Sequence, residues 1–149
     1  MLAVGSSIRG DDAAGLLAAG HLKDFARRSR GRVKIFLGET APENLTGEIK
    51  RYQPAHLVVI DAMDTQAPPG ELHTLEFHEQ EFSSLGPTST HNLPLGVLLK
   101  YLQAFLSCRI TVIGIQPKSL GFNQPVTKNV DRAARLVADL FQQAFAAAT

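Results

Sequence analysis

Leu57-Val58-Val59-Ile60-Asp61 is the stretch that decides the fold. Four consecutive apolar residues ending in an acid suit a central parallel strand covered on both faces; a half-exposed strand would alternate. Moving outward from it, Leu2–Gly5 and Val33–Leu37 read as two earlier strands. Between them Ala14, Leu17, Ala18, Leu22 and Phe25 recur at helical spacing as far as Arg28. Asn44–Tyr52 reads as a short helix ended by Pro54. Downstream, Pro68, Pro69 and Gly70 mark a turn, and Glu71–Phe77 alternates as an edge strand. Asn92 is a suitable N-cap, with Pro94 in the first turn of a helix continued by Val97, Leu98, Tyr101, Leu102 and Phe105. Arg109–Ile115 is the last strong strand, and Val130, Ala133, Ala134, Val137, Phe141 and Ala144 line one face of a C-terminal helix.

Strands separated by helices imply βαβ units. The expected class is α/β: a three-layer sandwich with a mostly parallel, twisted sheet of about five strands and helices on both faces. The 149 residues fit one domain, 1–149, and show no internal repeat or long linker. The first strand is short before Gly5, unless a native start lies slightly upstream.

Composition narrows the function classes. With 44% hydrophobic and 19% charged residues the chain reads as globular rather than disordered. A net charge of +1 carries no electrostatic footprint for nucleic acid. The basic group Lys23, Arg27, Arg28, Arg30 and Arg32 reads as a solvated face at a helix C-terminus, with a docking patch as the alternative. One cysteine, Cys108, excludes an intramolecular disulfide and a thiolate cluster, and reads as a buried structural thiol. Charge arrives too early for a secretory leader, and no apolar run reaches the ~18 residues of a membrane span. The expected location is the cytoplasm, with no membrane insertion.

In open α/β sheets the chemistry sits beyond the carboxyl ends of the strands, near the reversal of strand order. The polar residues there are Gly5–Asp12 after the first strand, Asp61 after the third, Thr88-Ser89-Thr90-His91-Asn92 before a helix, and Gln116 after the last strand. In a flavodoxin-like order the first and third strands are neighbours, so Asp12 and Asp61 face one crevice. His91 sits just before a helix N-terminus, whose dipole favours the neutral imidazole that a metal requires. Two carboxylates and an imidazole make an open site for a borderline divalent ion such as Zn²⁺ or Ni²⁺. The ordinary readings are helix capping for Asp11-Asp12 and burial with a partner for Asp61. His21, near the core face of the first helix, and His56, His73 and His78 read as structural or solvated. No G-x-G-x-x-G, no G-x-x-x-x-G-K-[ST], no G-x-S-x-G and no H-E-x-x-H is present.

Six blocks in order resemble the nickel–iron hydrogenase maturation endopeptidases. They are Val4-Gly5-Ser6-Ser7-Ile8-Arg9-Gly10-Asp11-Asp12-Ala13-Ala14-Gly15, Thr40-Ala41-Pro42-Glu43-Asn44, Val59-Ile60-Asp61-Ala62, Thr90-His91-Asn92-Leu93-Pro94-Leu95, Gly114-Ile115-Gln116-Pro117, and Gly121-Phe122 with Pro125 and Thr127. The second, fourth and fifth look most like the branch serving hydrogenase-3-type and related membrane-bound, energy-converting enzymes. The resemblance implies a metal site of Asp12, Asp61 and His91, which are both the metal and the catalytic candidates, with Asp11 in support. It implies removal of a short C-terminal peptide from the large-subunit precursor, just past its C-terminal cysteine motif, after nickel insertion. The nickel is then supplied by the substrate, with another divalent ion in the isolated protein as the alternative. Two positions depart from the family pattern: Ser6 stands where Asn is usual, and Glu39 where many members have Gly. Ser6 is expected to leave the turn intact; Glu39 reads as a solvated loop acid, or as one that tunes the site or meets a basic substrate residue. A metallopeptidase carrying its own ion and a nickel-checking chaperone that does not cut remain as rivals.

Overall fold

The computed structural model describes residues 1–78 and 95–148. Five strands form one sheet: β1 (Leu2–Val4), β2 (Phe36–Glu39), β3 (His56–Ala62), β4 (Leu72–Glu76) and β5 (Arg109–Ile115). Their order is β2-β1-β3-β5-β4. All pairings are parallel except β4 with β5, which places an antiparallel strand at one edge. The helices are α1 (Ala14–Arg28), α2 (Thr46–Tyr52), α3 (Leu95–Gln103) and α4 (Lys128–Ala147). This is the expected mostly parallel α/β sandwich.

β3 owes its central position to the apolar run Leu57-Val58-Val59-Ile60. It pairs with β1 on one side and with all seven residues of β5 on the other, from His56↔Arg109 to Ala62↔Ile115. Because side chains alternate across a strand, β3 feeds two cores. Val58, Ile60 and Ala62 pack with Ala14, Ala18 and Leu22 of α1 and with Val130, Ala134 and Val137 of α4. Leu57, Val59 and Met63 pack with Ile49 of α2 and with Leu95, Leu98, Leu99 and Leu102 of α3. Phe25 of α1 meets Phe141 and Phe145 of α4 edge-on, at centroid distances of 6.4 and 5.3 Å.

Three details differ from the sequence reading. The second strand begins at Phe36 rather than Val33. The Ser29 hydroxyl accepts the Val33 N–H at 2.9 Å, so the chain turns there before entering the sheet. His21 is exposed on α1 rather than near its core face. Cys108 is half-buried, and burial raises its thiol pKa, which keeps it an unreactive thiol. Asn92 and Pro94, expected to open α3, lie outside the described residues.

Candidate functional site

The reversal of strand order falls at β1, which has β2 on one side and β3 on the other. The crevice above β1 and β3 is therefore where a ligand belongs. α1 enters it through Gly15, whose missing side chain is a steric necessity. A Cβ there would overlap the carbonyl oxygens of both Val4 and Ile60, the last residues of β1 and the residue before Asp61. The turn of 3-10 helix Gly10–Ala13 thus sits directly over the ends of the two strands.

The two neighbouring acids of that turn do different work. Asp11 is fully buried and its carboxylate is consumed. It accepts the backbone N–H groups of Lys118 at 2.8 Å, Ser119 at 3.1 Å and Thr127 at 2.7 Å, and the Thr127 hydroxyl at 2.9 Å. Three of these donors fall on Oδ2 and one on Oδ1, so Asp11 is committed as a clamp for the segment after β5. Asp12 is also buried. Its backbone closes the preceding turn: its N–H donates to Arg9 O at 3.1 Å, and its carbonyl accepts the Ser6 N–H at 3.2 Å. Ser6, where the family has Asn, keeps that turn closed and is itself buried.

Asp61 is fully buried in β3, paired in register with Gly114 of β5. By alternation it shares the face of Val59 and Met63, the face covered by α2 and α3. Asp12 and Asp61 are therefore brought to the ends of adjoining strands, as the strand-end argument requires. Both carboxylates are buried, and carboxylate oxygen is a donor that divalent ions take. His91, the third candidate, lies outside the described residues. Among the described residues no three His, Cys, Asp or Glu side chains are grouped to hold a metal ion.

The sequence placed Gln116 at a strand end without giving it a role; the structure makes it an organiser. It is buried, and its Oε1 accepts the Thr65 N–H at 2.8 Å, the Thr65 hydroxyl at 3.1 Å and the Ala67 N–H at 3.2 Å. Its Nε2 donates to Asp64 Oδ1 at 3.2 Å and to Pro117 O at 3.0 Å. The loop that follows Asp61 is thereby fixed from β5. The Gln66 N–H and then the Gln116 amide hold the Asp64 carboxyl below its usual range. The signal was legible as a lone amide wedged between an apolar strand and a proline. Glu39 is exposed, with its backbone in the left-handed region at φ 49°, and its carbonyl accepts the Gly5 N–H at 2.9 Å. That conformation explains why glycine suits this position.

His56 and His73 carry neighbourly rather than ligand roles. His56 Nε2 lies 2.8 Å from Thr111 Oγ1, and His73 Nε2 lies 2.8 Å from Thr65 Oγ1. His78 is exposed.

A mostly parallel α/β sheet with two buried acids near its switch point frames the candidate site. The profile of the hydrogenase maturation protease family matches residues 19–143. The hydrogenase 3 maturation protease of Escherichia coli (strain K12) is 32% identical over 137 residues, spanning 92% of this chain and 84% of that protein. The solution structure of the Escherichia coli endopeptidase HycI superposes with a TM-score of 0.79 at 31% identity, over 93% of this chain and 85% of that one. The nickel–iron hydrogenase maturation protease HycI of Thermococcus kodakarensis superposes at 0.78 with 28% identity, over 95% and 88%. The chain belongs to the hydrogenase maturation protease family, and it is a peptide-bond hydrolase.

Proposed function

We propose that this enzyme removes the C-terminal peptide of the nickel-loaded large-subunit precursor of a nickel–iron hydrogenase, in the cytoplasm, using the substrate's own nickel for recognition. The observation that carries the proposal is the division of labour in Asp11-Asp12. The first acid is committed to four donors in the segment after β5, while the second is buried in the turn over the ends of β1 and β3, and Asp61 is buried in β3. His91 is the third member of the set. It precedes Leu95 by four residues, and Leu95 is buried on the same face of β3 as Asp61. Two carboxylates and an imidazole leave coordination positions for the substrate's ligands, so binding reports whether nickel has been inserted.

Nickel carried by the substrate would supply Lewis acidity toward the scissile carbonyl or a water. Asp12 and Asp61 would hold that ion; alternatively, one of them would serve as the general base. No helix among the described residues is long and apolar enough to cross a membrane, in keeping with a partner met in the aqueous phase. The test is processing of a nickel-loaded precursor, followed by the mass of its C-terminal fragment. His91→Ala and Asp61→Asn are expected to lower the cleavage rate by at least about a hundredfold, since each removes a first-line ligand. Normal cleavage by either variant would overturn the ligand set. A nickel-free precursor cut at the same rate would overturn the recognition role.

A further inference from the structure

Two large apolar side chains stand in the open at the edge of this site: Ile8 is 53% exposed and Phe122 65% exposed. They come from distant parts of the sequence, yet their backbones are tied together, because the Asn123 N–H donates to Ile8 O at 2.8 Å. Neither sits on a loose loop. Ile8 lies inside the turn that Ser6, Arg9 and Asp12 close among themselves. Phe122 lies in the segment that Asp11 grips at Lys118, Ser119 and Thr127. The Asp11 N–H in turn donates to Ser119 O at 2.9 Å. Two large exposed apolar groups on backbone tied together at the edge of the site offer a partner an apolar surface to cover.

The surroundings say what kind of partner. The side chains of Arg9 and Lys118 are exposed on either side of Asp11, whose own charge is buried and fully hydrogen-bonded. The rim therefore presents exposed cations, Arg9 and Lys118, beside its exposed apolar groups. It is also continuous with the candidate site, because the turn that carries Ile8 and Arg9 is the one that closes on Asp12.

The geometry points to Ile8 and Phe122 as a docking shelf for the large-subunit precursor, receiving a segment in which apolar side chains stand beside carboxylates. This rests on the proposed function for the identity of the partner, but it concerns binding rather than cleavage. The shelf sets how tightly the precursor is held, and the acids above β1 and β3 act on what it presents.

The experiment measures both association and processing with the nickel-loaded precursor. Ile8→Ser with Phe122→Ser is expected to raise the dissociation constant and KM at least about tenfold, as loss of a desolvated apolar anchor does, with a far smaller change in kcat. Arg9→Glu with Lys118→Glu is expected to weaken the complex by a similar factor. Leu136→Ser with Leu140→Ser, equally exposed but on α4, is the control and should leave both constants unchanged. Wild-type affinity in either rim variant overturns the shelf, as does an equal loss in the control or a wild-type protein that does not associate. The two readings separate cleanly. A wild-type protein that binds through the shelf but leaves the precursor uncut sinks the cleavage reading alone. One that cuts, with KM unmoved by the serine pair, sinks the shelf alone.

Discussion

Asp11 shows how much can hang on one carboxylate. Replacing it with alanine strands three part-buried N–H groups and a hydroxyl in the segment after β5. Unsatisfied donors and the loss of charge-assisted bonds together cost about 3 kcal/mol or more. Urea unfolding of Asp11→Ala should show a loss of that order, and amide exchange should show the 117–127 segment opening first. A clamp with weaker bonds than the geometry suggests would leave the midpoint near wild type. His56, at the other end of the sheet, carries a pH signature. Burial, and then the Arg109 guanidinium, push its pKa down from 6.5, with Glu76 opposing. The folded protein thus holds its proton less well than the unfolded chain, so stability is full above about 6.5 and falls as pH drops through the window beneath it. Denaturation midpoints across that window should fall less steeply for His56→Gln than for the native protein. Parallel curves would remove His56 as a source of acid sensitivity.

At the scale of elements, the sequence was most legible where one force dominates. The apolar run of β3, the alternation of β4 and the periodic faces of α1 and α4 each follow from burial alone, and they fall where periodicity placed them. β2 shifted because a single hydroxyl, Ser29, outbid the sheet for the Val33 N–H, and no periodicity carries that information. Gly15 is another case that pattern alone misjudges. Inside a helix, Gly→Ala ordinarily stabilises by roughly 0.5–1 kcal/mol. At Gly15 the added methyl meets the carbonyls of Val4 and Ile60, so the sign reverses. Gly15→Ala is expected to cost about 1–3 kcal/mol and to depress cleavage by lifting Asp12 off the strand ends. Gly20, on the same helix, has nothing within 4 Å of its would-be Cβ. Gly20→Ala should therefore stabilise by roughly 0.5–1 kcal/mol. Thermal melts of the pair check the contrast, and shifts of the same sign would refute it.

For the molecule as a whole, the topology rule was enough to bring Asp12 and Asp61 to neighbouring strand ends, because strand order is dictated by the connections between burial-driven elements. It could not tell Asp11 from Asp12. That distinction lives in hydrogen bonds to Lys118, Ser119 and Thr127, residues that no local window around position 11 contains. The same blindness hid the role of Gln116, whose partners in the loop after β3 lie 49 to 52 positions away. The clamp at Asp11 has a consequence in time as well as in space. Its partners are made 107 to 116 residues after it, so during synthesis Asp12 emerges long before the segment that steadies its neighbour. Closing so long a loop is entropically slow, and it cannot begin until Thr127 has left the ribosome. A nascent or nicked chain lacking that stretch carries both acids but not their support. The turn that carries both acids therefore gains the Asp11 bonds only when the late segment folds back onto the beginning of the chain.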